Sequence, residues 1–282
     1  MERRWFMLHI QPTKKMLADK RGFTIVELAL VIVFLGVLVP IFSFLLVNMY
    51  QDSFYLNDKV KSNAETVQAL LFMEEGVRNS ASFERALPAQ YTDFYGAHNA
   101  GSSGAEAWSY VGDGASARVL MTQNYSTTVN ALSNGRQPVF VNTPDFNCTT
   151  DMYYQPQLKY LTIYFVKDST LYRRILTDKT TALCAGNTQI QKQTCPPSIA
   201  DASRDSSCEA YDEVLVNNVS SFSVNYFQIN TEGASTPIDP TFSSSDADIL
   251  TTVDYADVTI TTTTPGGGES NSLTQRMTKV NP

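Results

Sequence analysis

Histidine is almost absent from this chain, and its scarcity limits the chemistry available. Of 282 residues only two are histidine, His9 and His98. A triad that depends on a histidine base would have to use one of them, and no nucleophile motif accompanies either. The sequence has no H-E-x-x-H, and the glycines at 266–268 are not followed by the Lys-Ser/Thr of a phosphate-binding loop. We therefore predict that the protein is not an enzyme and binds no cofactor.

Basic residues are also scarce once the first 22 residues are set aside. The chain has 21 Lys and Arg against 28 Asp and Glu, a net charge of −7. Residues 1–22 carry +4, which leaves the remainder at −11. Binding to phosphates needs clustered Lys and Arg, so nucleic acid is an unexpected partner, although a local basic patch for DNA uptake stays open. A basic start before an acidic body is typical of a cytoplasmic N-terminus and an exported domain.

No pair of cysteines has C-x-x-C spacing, which argues against zinc-ribbon and thioredoxin-like folds. All the cysteines fall in the part predicted to be exported, where disulfides can form. We predict two disulfides, with three connectivities open. A bridge across 184–195 or 195–208 would clip a Pro- and Ser-rich segment. The candidates are Cys148, Cys184, Cys195 and Cys208.

One group of aspartates has the oxygen ligands that Ca²⁺ prefers. Its spacing does not match the EF-hand loop, and acidic loops are usually only solvated. We therefore predict no metal site. The group consists of Asp239, Asp246, Asp248, Asp254 and Asp257.

One long apolar run, residues 23–47, dominates the sequence and holds a single charge, Glu27. As a helix rising about 1.5 Å per residue it would extend roughly 37 Å, enough to cross a ~30 Å hydrocarbon core with some tilt. The run therefore predicts a transmembrane helix. Gly36 and Pro40 interrupt it, and Pro40 is a candidate for a kinked or loosened segment.

The charge and the start of the run are unusual together. An ionised side chain inside a bilayer costs on the order of 2.5–3.5 kcal/mol, so Glu27 needs a partner. A secretory peptidase cuts after the apolar region. A cut between Gly22 and Phe23 would instead leave the apolar helix on the mature chain. It would also create an α-amine four residues from Glu27, a candidate partner for the carboxylate.

The segment K-R-G-F-T-I-V-E-L resembles the class III signal of type IV prepilins and pseudopilins. The resemblance implies that a prepilin peptidase cuts after Gly22 and N-methylates Phe23, the first mature residue. It also implies that Glu27 neutralises the N-terminus of a neighbouring subunit in a filament. The alternative is an uncleaved signal anchor whose glutamate lies at the membrane interface.

After the apolar run, residues 48–87 have a helical, amphipathic pattern and extend the same helix. Gly76 and Pro88 bracket its predicted end. We expect one apolar stripe of this half to pack on the rest of the protein. That stripe comprises Leu56, Val60, Ala64, Val67, Leu71 and Val77.

Residues 88–282 are predicted to be a β-rich exported domain with long loops at 89–117 and 177–212. Candidate strands lie at 118–125, 138–141, 159–166, 171–176, 214–229 (one strand or two), 257–263 and 273–280. We expect an α+β fold in which a long N-terminal helix packs on an antiparallel sheet. Before it come the leader 1–22 and the two helix halves, 23–47 and 48–87. This layout is similar to that of larger minor pilins and minor pseudopilins.

The sequence is therefore interpreted as a structural minor subunit of a type IV pilus or related pseudopilus. The resemblance implies that its partners are other pilin or pseudopilin subunits, the prepilin peptidase and an inner-membrane assembly platform. The precursor would cross the cytoplasmic membrane once with its N-terminus inside, before joining an extracellular or periplasmic filament. The alternative is a tip-presented adhesin, or a minor pilin that binds DNA or a surface.

Overall fold

A computed structural model describes residues 24–96, 119–129, 136–145, 147–148, 155–185, 188–197, 206–238, 249–264 and 270–280. The chain divides into two compact units, Met1–Phe54 and Tyr55–Pro282. One long helix, α1 (Ile25–Arg78), begins in the first unit and ends in the second.

The first unit contains the apolar part of α1. This stretch is long and apolar enough to cross a membrane, and it is the one helix among the described residues that is so. Its large apolar side chains are exposed along its length, as expected of a segment whose solvent is lipid. The helix continues through Pro40 without a break. The predicted membrane-spanning capacity is thus confirmed, whereas the proline does not interrupt the helix.

The C-terminal end of α1 lies between Gly76 and Pro88, as the sequence predicted, although it comes nine residues before the boundary drawn at residue 87. The helix stops at Arg78, whose guanidinium lies 2.8 Å from the Glu74 carboxylate one turn back. The Asn79 side chain donates to the Glu75 carbonyl at 3.0 Å and satisfies one of the last carbonyls of the helix. A strand starts at Ser80, inside the segment that the sequence predicted as helical.

The second unit is built mainly from antiparallel strands. The described residues contain β1 (Ser80–Glu84), β2 (Leu120–Tyr125), β3 (Thr127–Val129), β4 (Arg136–Pro138), β5 (Lys159–Lys167), β6 (Thr170–Thr177), β7 (Thr194–Cys195), β8 (Ala210–Tyr211), β9 (Glu213–Asn217), β10 (Val219–Ile229), β11 (Ser235–Ile238), β12 (Tyr255–Thr263) and β13 (Ser270–Thr278). The first sheet has the order β1-β2-β5-β6-β9, and the second has the order β11-β10-β12-β13. Strands β3 and β4 form a short antiparallel pair, and β7 and β8 a short parallel one. Helix plus antiparallel sheets agrees with the predicted α+β class.

Three non-glycine residues with positive φ shape the connections between strands. Asp168 (φ 48°) and Ser169 (φ 58°) form the tight turn between β5 and β6, which are the strands predicted at 159–166 and 171–176. Asn218 (φ 58°) separates β9 from β10. Because β9 belongs to the first sheet and β10 to the second, the predicted segment 214–229 is two strands, and Asn218 is the point at which the chain changes sheet.

The main core lies between α1 and the sheets. Phe222, Val224 and Tyr226 alternate along β10 into this core, as their spacing predicts. The opposite face of the first sheet forms a second cluster containing Leu161, Ile163 and Phe165, also in the predicted alternation.

The face of α1 that enters the core is not the predicted one. Its buried residues are Thr66, Ala69, Leu70, Met73 and Val77. Of the predicted stripe only Val77 is buried, whereas Leu56 and Val60 are 58% and 67% exposed. The buried face was hard to recognise because it includes a threonine, whose hydroxyl donates to the Ser62 carbonyl one turn back and is thereby satisfied.

Gly76 has a packing role rather than a terminating one. A Cβ at this position would lie 2.6 Å from the hydroxyl oxygen of Tyr164, closer than real contacts allow. Asn124 also approaches, donating from Nδ2 to the Gly76 carbonyl at 2.6 Å. The glycine therefore lets the first sheet come close to the last turn of α1.

Candidate functional site

The N-terminus of α1 carries a capping box that the sequence analysis missed. The backbone N–H and the hydroxyl of Thr24 both donate to Oε2 of Glu27, each at 3.0 Å. The Glu27 N–H donates back to the Thr24 hydroxyl oxygen at 3.3 Å. The signal was present, because T-I-V-E matches the S/T-x-x-E pattern of a helix start.

This geometry gives Glu27 a partner within its own chain. An ionised carboxylate has about four acceptor positions, so the capping box leaves capacity for a further donor such as an α-amine. The predicted cleavage and methylation residues, Gly22 and Phe23, lie outside the described residues.

The wrongly assigned helix face is an exposed apolar stripe, defined here as Leu56, Val60, Ala64, Val67 and Leu71. Successive members are four, four, three and four residues apart, which keeps them on one side of the helix. At roughly 100° per residue, this stripe is turned about 120° from the buried face. The second half of α1 therefore has two apolar faces, of which the β-rich unit covers only one. An uncovered apolar face of this kind can pack against another helix.

All four cysteines are paired, which confirms the two predicted disulfides. Cys148 bonds to Cys184 and Cys195 bonds to Cys208, with Cα–Cα distances of 5.5 and 5.7 Å. The first disulfide joins segments 36 residues apart, next to the isolated β-bridge between Val141 and Leu183. The second joins cysteines that are 13 residues apart in the sequence. Both disulfides stabilise the folded state by restricting the unfolded chain.

A buried ion cluster lies at the first sheet and was not predicted. Arg174 on β6 donates from Nη2 to Asp212 at 2.7 Å and from Nη1 to Asp93 at 2.8 Å, and all three side chains are at most 1% exposed. Nη1 also donates to the Gly96 carbonyl. Asp212 accepts a second bond from the Thr194 hydroxyl at 2.8 Å. The cluster therefore fixes three distant segments to one strand.

The charge state of this cluster follows from its contacts. Burial opposes the charge of Arg174, but the hydrogen bonds that it donates to Asp212 and the negative charges of Asp93 and Asp212 outweigh that effect and raise the arginine pKa. The adjacent arginines were a signal for this cluster in the sequence. Adjacent residues of a strand face opposite sides of the sheet, so Arg173 and Arg174 cannot both point outward when the sheet is covered. Because the guanidinium donors of Arg174 are engaged within the cluster, the cluster is suited to stabilising the fold rather than to catalysis.

Of the five aspartates considered for calcium, the structure describes Asp254 and Asp257, and each has a separate partner. Asp257 pairs with Arg276 at 3.0 Å, and Asp254 accepts from the Ile229 N–H at 2.6 Å. Asp239, Asp246 and Asp248 lie outside the described residues, as does His98. Within the part of the chain that is described, no group of three His, Cys, Asp or Glu side chains could hold a metal ion.

Comparison with protein-family models finds no match for this chain, and comparison with curated proteins finds none either. Inference about function therefore comes from the helix and the β-rich unit themselves.

Proposed function

We propose that this chain is a structural subunit of a filament of the type IV pilus or pseudopilus kind, which it enters through α1. The observation that carries the proposal is the exposed apolar stripe, Leu56 to Leu71, on the second half of a helix whose first half can span a membrane. A helix on the surface of a soluble domain normally presents polar residues to water. In this chain the second half of α1 is apolar along the stripe from Leu56 to Leu71, a face that the β-rich unit does not cover.

Neighbouring copies or related subunits would cover that stripe. Burying apolar surface is favourable by about 25 cal/mol per Å², so side-by-side packing of such helices would stabilise a polymer. The first half of α1, exposed and apolar, would leave lipid and pack in the same bundle. The membrane then holds the precursor, and the helix is the element that assembles.

The N-terminal residues have defined roles in this proposal. Cleavage after Gly22 by a prepilin peptidase frees the amine of Phe23. Glu27 accepts that amine from a neighbour while its capping bonds to Thr24 keep the carboxylate in place. An unpaired charge would be penalised away from water, so the pair would favour one register between subunits.

In cells with a prepilin peptidase, the mature chain should begin with N-methylated Phe23, and Gly22→Leu should leave full-length precursor in the membrane. Mass spectrometry of the intact protein and its N-terminal peptide measures both. Gly36→Leu is the matched control: no neighbouring atom lies within 4 Å of its Cβ position, so cleavage should be normal. A wild-type chain that keeps residues 1–22 in filaments would contradict the proposal.

A further inference from the structure

A groove runs between the side of α1 and the outer edge of the first sheet. We define this edge groove by its walls, Glu65, Gln68 and Phe72 on the helix and Glu213, Val214 and Leu215 on β9. The cavity between them has a volume of about 330 Å³. Beyond Phe72 and Glu213 it continues into a wider cavity of about 710 Å³, reaching Glu75 and Tyr211. Together the cavities follow the helix for about four turns.

The strand that forms one wall is a sheet edge. Among the described residues β9 pairs only with β6, so its other side presents alternate backbone N–H and C=O groups to the groove. The side chains of Val214 and Tyr211 are 48% and 44% exposed on this side. Natural edges are usually protected by charge, proline or a covering element. The five residues of β9 include no proline, and the helix opposite is separated from them by the groove.

A gap between an edge strand and a helix suits one extended chain. An added strand would lie about 4.8 Å from β9 and satisfy its free backbone groups, while its side chains meet the helix. Extended peptides bind other proteins by this mode, with backbone bonds supplying affinity and side-chain contacts supplying specificity.

The charges of the groove indicate what kind of chain would enter. Glu65 and Glu75 line the helix wall and Glu213 the strand wall. Arg173 is already engaged, with its guanidinium 4.4 Å from the Phe72 ring centre and 2.7 Å from Glu213. Lys192, at the far end, is the other basic lining residue. Three glutamates against two basic residues give the groove a net charge of −1, and the exposed Lys61 ammonium lies 3.9 Å from the Glu65 carboxylate at its margin.

We propose that the edge groove binds an extended, basic segment of a different protein as an added strand on β9, with Lys or Arg side chains facing Glu65 and Glu75. A second copy of this chain is a poorer occupant, because the region after residue 22 carries −11 and would repel an acidic groove. The site is separate from the exposed apolar stripe and does not depend on filament assembly.

The test uses the full chain in detergent and a fluorescent probe peptide, acetyl-Thr-Lys-Val-Lys-Val-Lys-Thr-amide, followed by fluorescence anisotropy. Glu65→Lys should weaken binding about tenfold or more, because it places a like charge in the groove. Glu232→Lys, an exposed position outside the groove with the same change in net charge, should alter binding by less than about twofold.

Backbone pairing is tested with two N-methylated probes, one modified at the three Lys amides and the other at the two Val amides. Alternate N–H groups of a strand point to opposite edges, so one of the two probes should lose binding and the other should keep it. Amide hydrogen exchange at 213–217 should slow when the unmodified probe binds.

Three results would overturn the inference. Equal weakening by Glu65→Lys and Glu232→Lys would mean that net charge alone attracts the peptide. Equal binding of both methylated probes would rule out strand addition. Absence of binding, or unchanged exchange at 213–217, would show that β9 is not the docking edge.

Discussion

At the scale of single residues, Glu27 has one observed role and one proposed role, and the two can be separated by substitution. Within its own chain it completes the capping box with Thr24, and in the proposed filament it accepts a neighbour's amine. Glutamine can complete a capping box but carries no charge. Alanine carries no charge either and cannot complete the capping box. The two substitutions therefore distinguish local helix capping from contact between subunits.

We expect Glu27→Gln and Glu27→Ala both to be cleaved normally and both to be depleted from sheared filaments, because each removes the charge. Thr24→Ala, which removes capping bonds at a cost of about 0.5–2 kcal/mol in helix stability, should still be incorporated. Immunoblots of sheared and cell-bound fractions measure the outcome. If Glu27→Gln assembles like wild type while Glu27→Ala does not, capping is the role and the amine pair is excluded.

Arg174 is the residue on which the stability of the first sheet should depend most. Removing one member of a buried ion cluster leaves the others charged and unpaired, so Arg174→Ala should lower the free energy of unfolding by about 3–5 kcal/mol. Arg276→Ala breaks the pair with Asp257 and should cost much less stability, because the arginine side chain is 60% exposed and water screens the pair. Urea unfolding followed by circular dichroism compares them, and equal losses would contradict this account.

At the scale of elements, α1 shows why an apolar repeat does not by itself identify the buried face. The stripe from Leu56 to Leu71 has the more regular spacing and only apolar members, yet the buried face contains Thr66 and Ala69. A small residue lets the sheet approach closely, and a threonine that bonds within its own helix can be buried at little cost. The more regular stripe remains available to another molecule.

The exposed stripe can be tested apart from folding. Val60→Lys combined with Val67→Lys should change the free energy of unfolding by no more than about 0.5 kcal/mol, since both side chains are exposed. The same pair should prevent incorporation into filaments. The buried neighbour gives the contrasting control, because Leu70→Ala should cost about 2–5 kcal/mol of stability. Normal incorporation of the double variant would show that the stripe is not an assembly surface.

At the scale of the whole molecule, the β-rich unit can be a purely structural part of the proposed subunit or a binding module. If the β-rich unit were a binding module, the Gly/Ser-rich segment 89–117 would be a candidate for its binding surface. Its beginning has a structural role, since Asp93 and the Gly96 carbonyl bind Arg174. An informative deletion must therefore start after Gly96.

We expect deletion of residues 99–114 to leave both filament formation and surface attachment intact, because assembly is proposed to depend on α1. Filament yield in sheared fractions and cell attachment to a surface are the two measurements. A deletion that removes residue 93 as well is the destabilised control, since it takes away a partner of Arg174. Lost attachment with intact filaments would instead favour a binding subunit.

The sequence alone determined those features that depend on local pattern. The membrane-spanning capacity of α1, the hairpin turning at Asp168 and Ser169, and the alternation of Phe222, Val224 and Tyr226 follow from periods of 3.6 and 2 residues and from turn chemistry. The formation of two disulfides followed from an even number of cysteines in a region that the sequence predicts to be exported.

Only the tertiary structure decided which faces and partners were used. It selected the buried face of α1, paired Cys148 with Cys184, and turned Arg174 inward to Asp93 and Asp212. Each choice depends on residues far apart in the chain, and the free-energy difference between the options comes from packing and desolvation. Local periodicity predicts neither packing nor desolvation. It shows which side chains share a face of an element, but not which other element that face will contact.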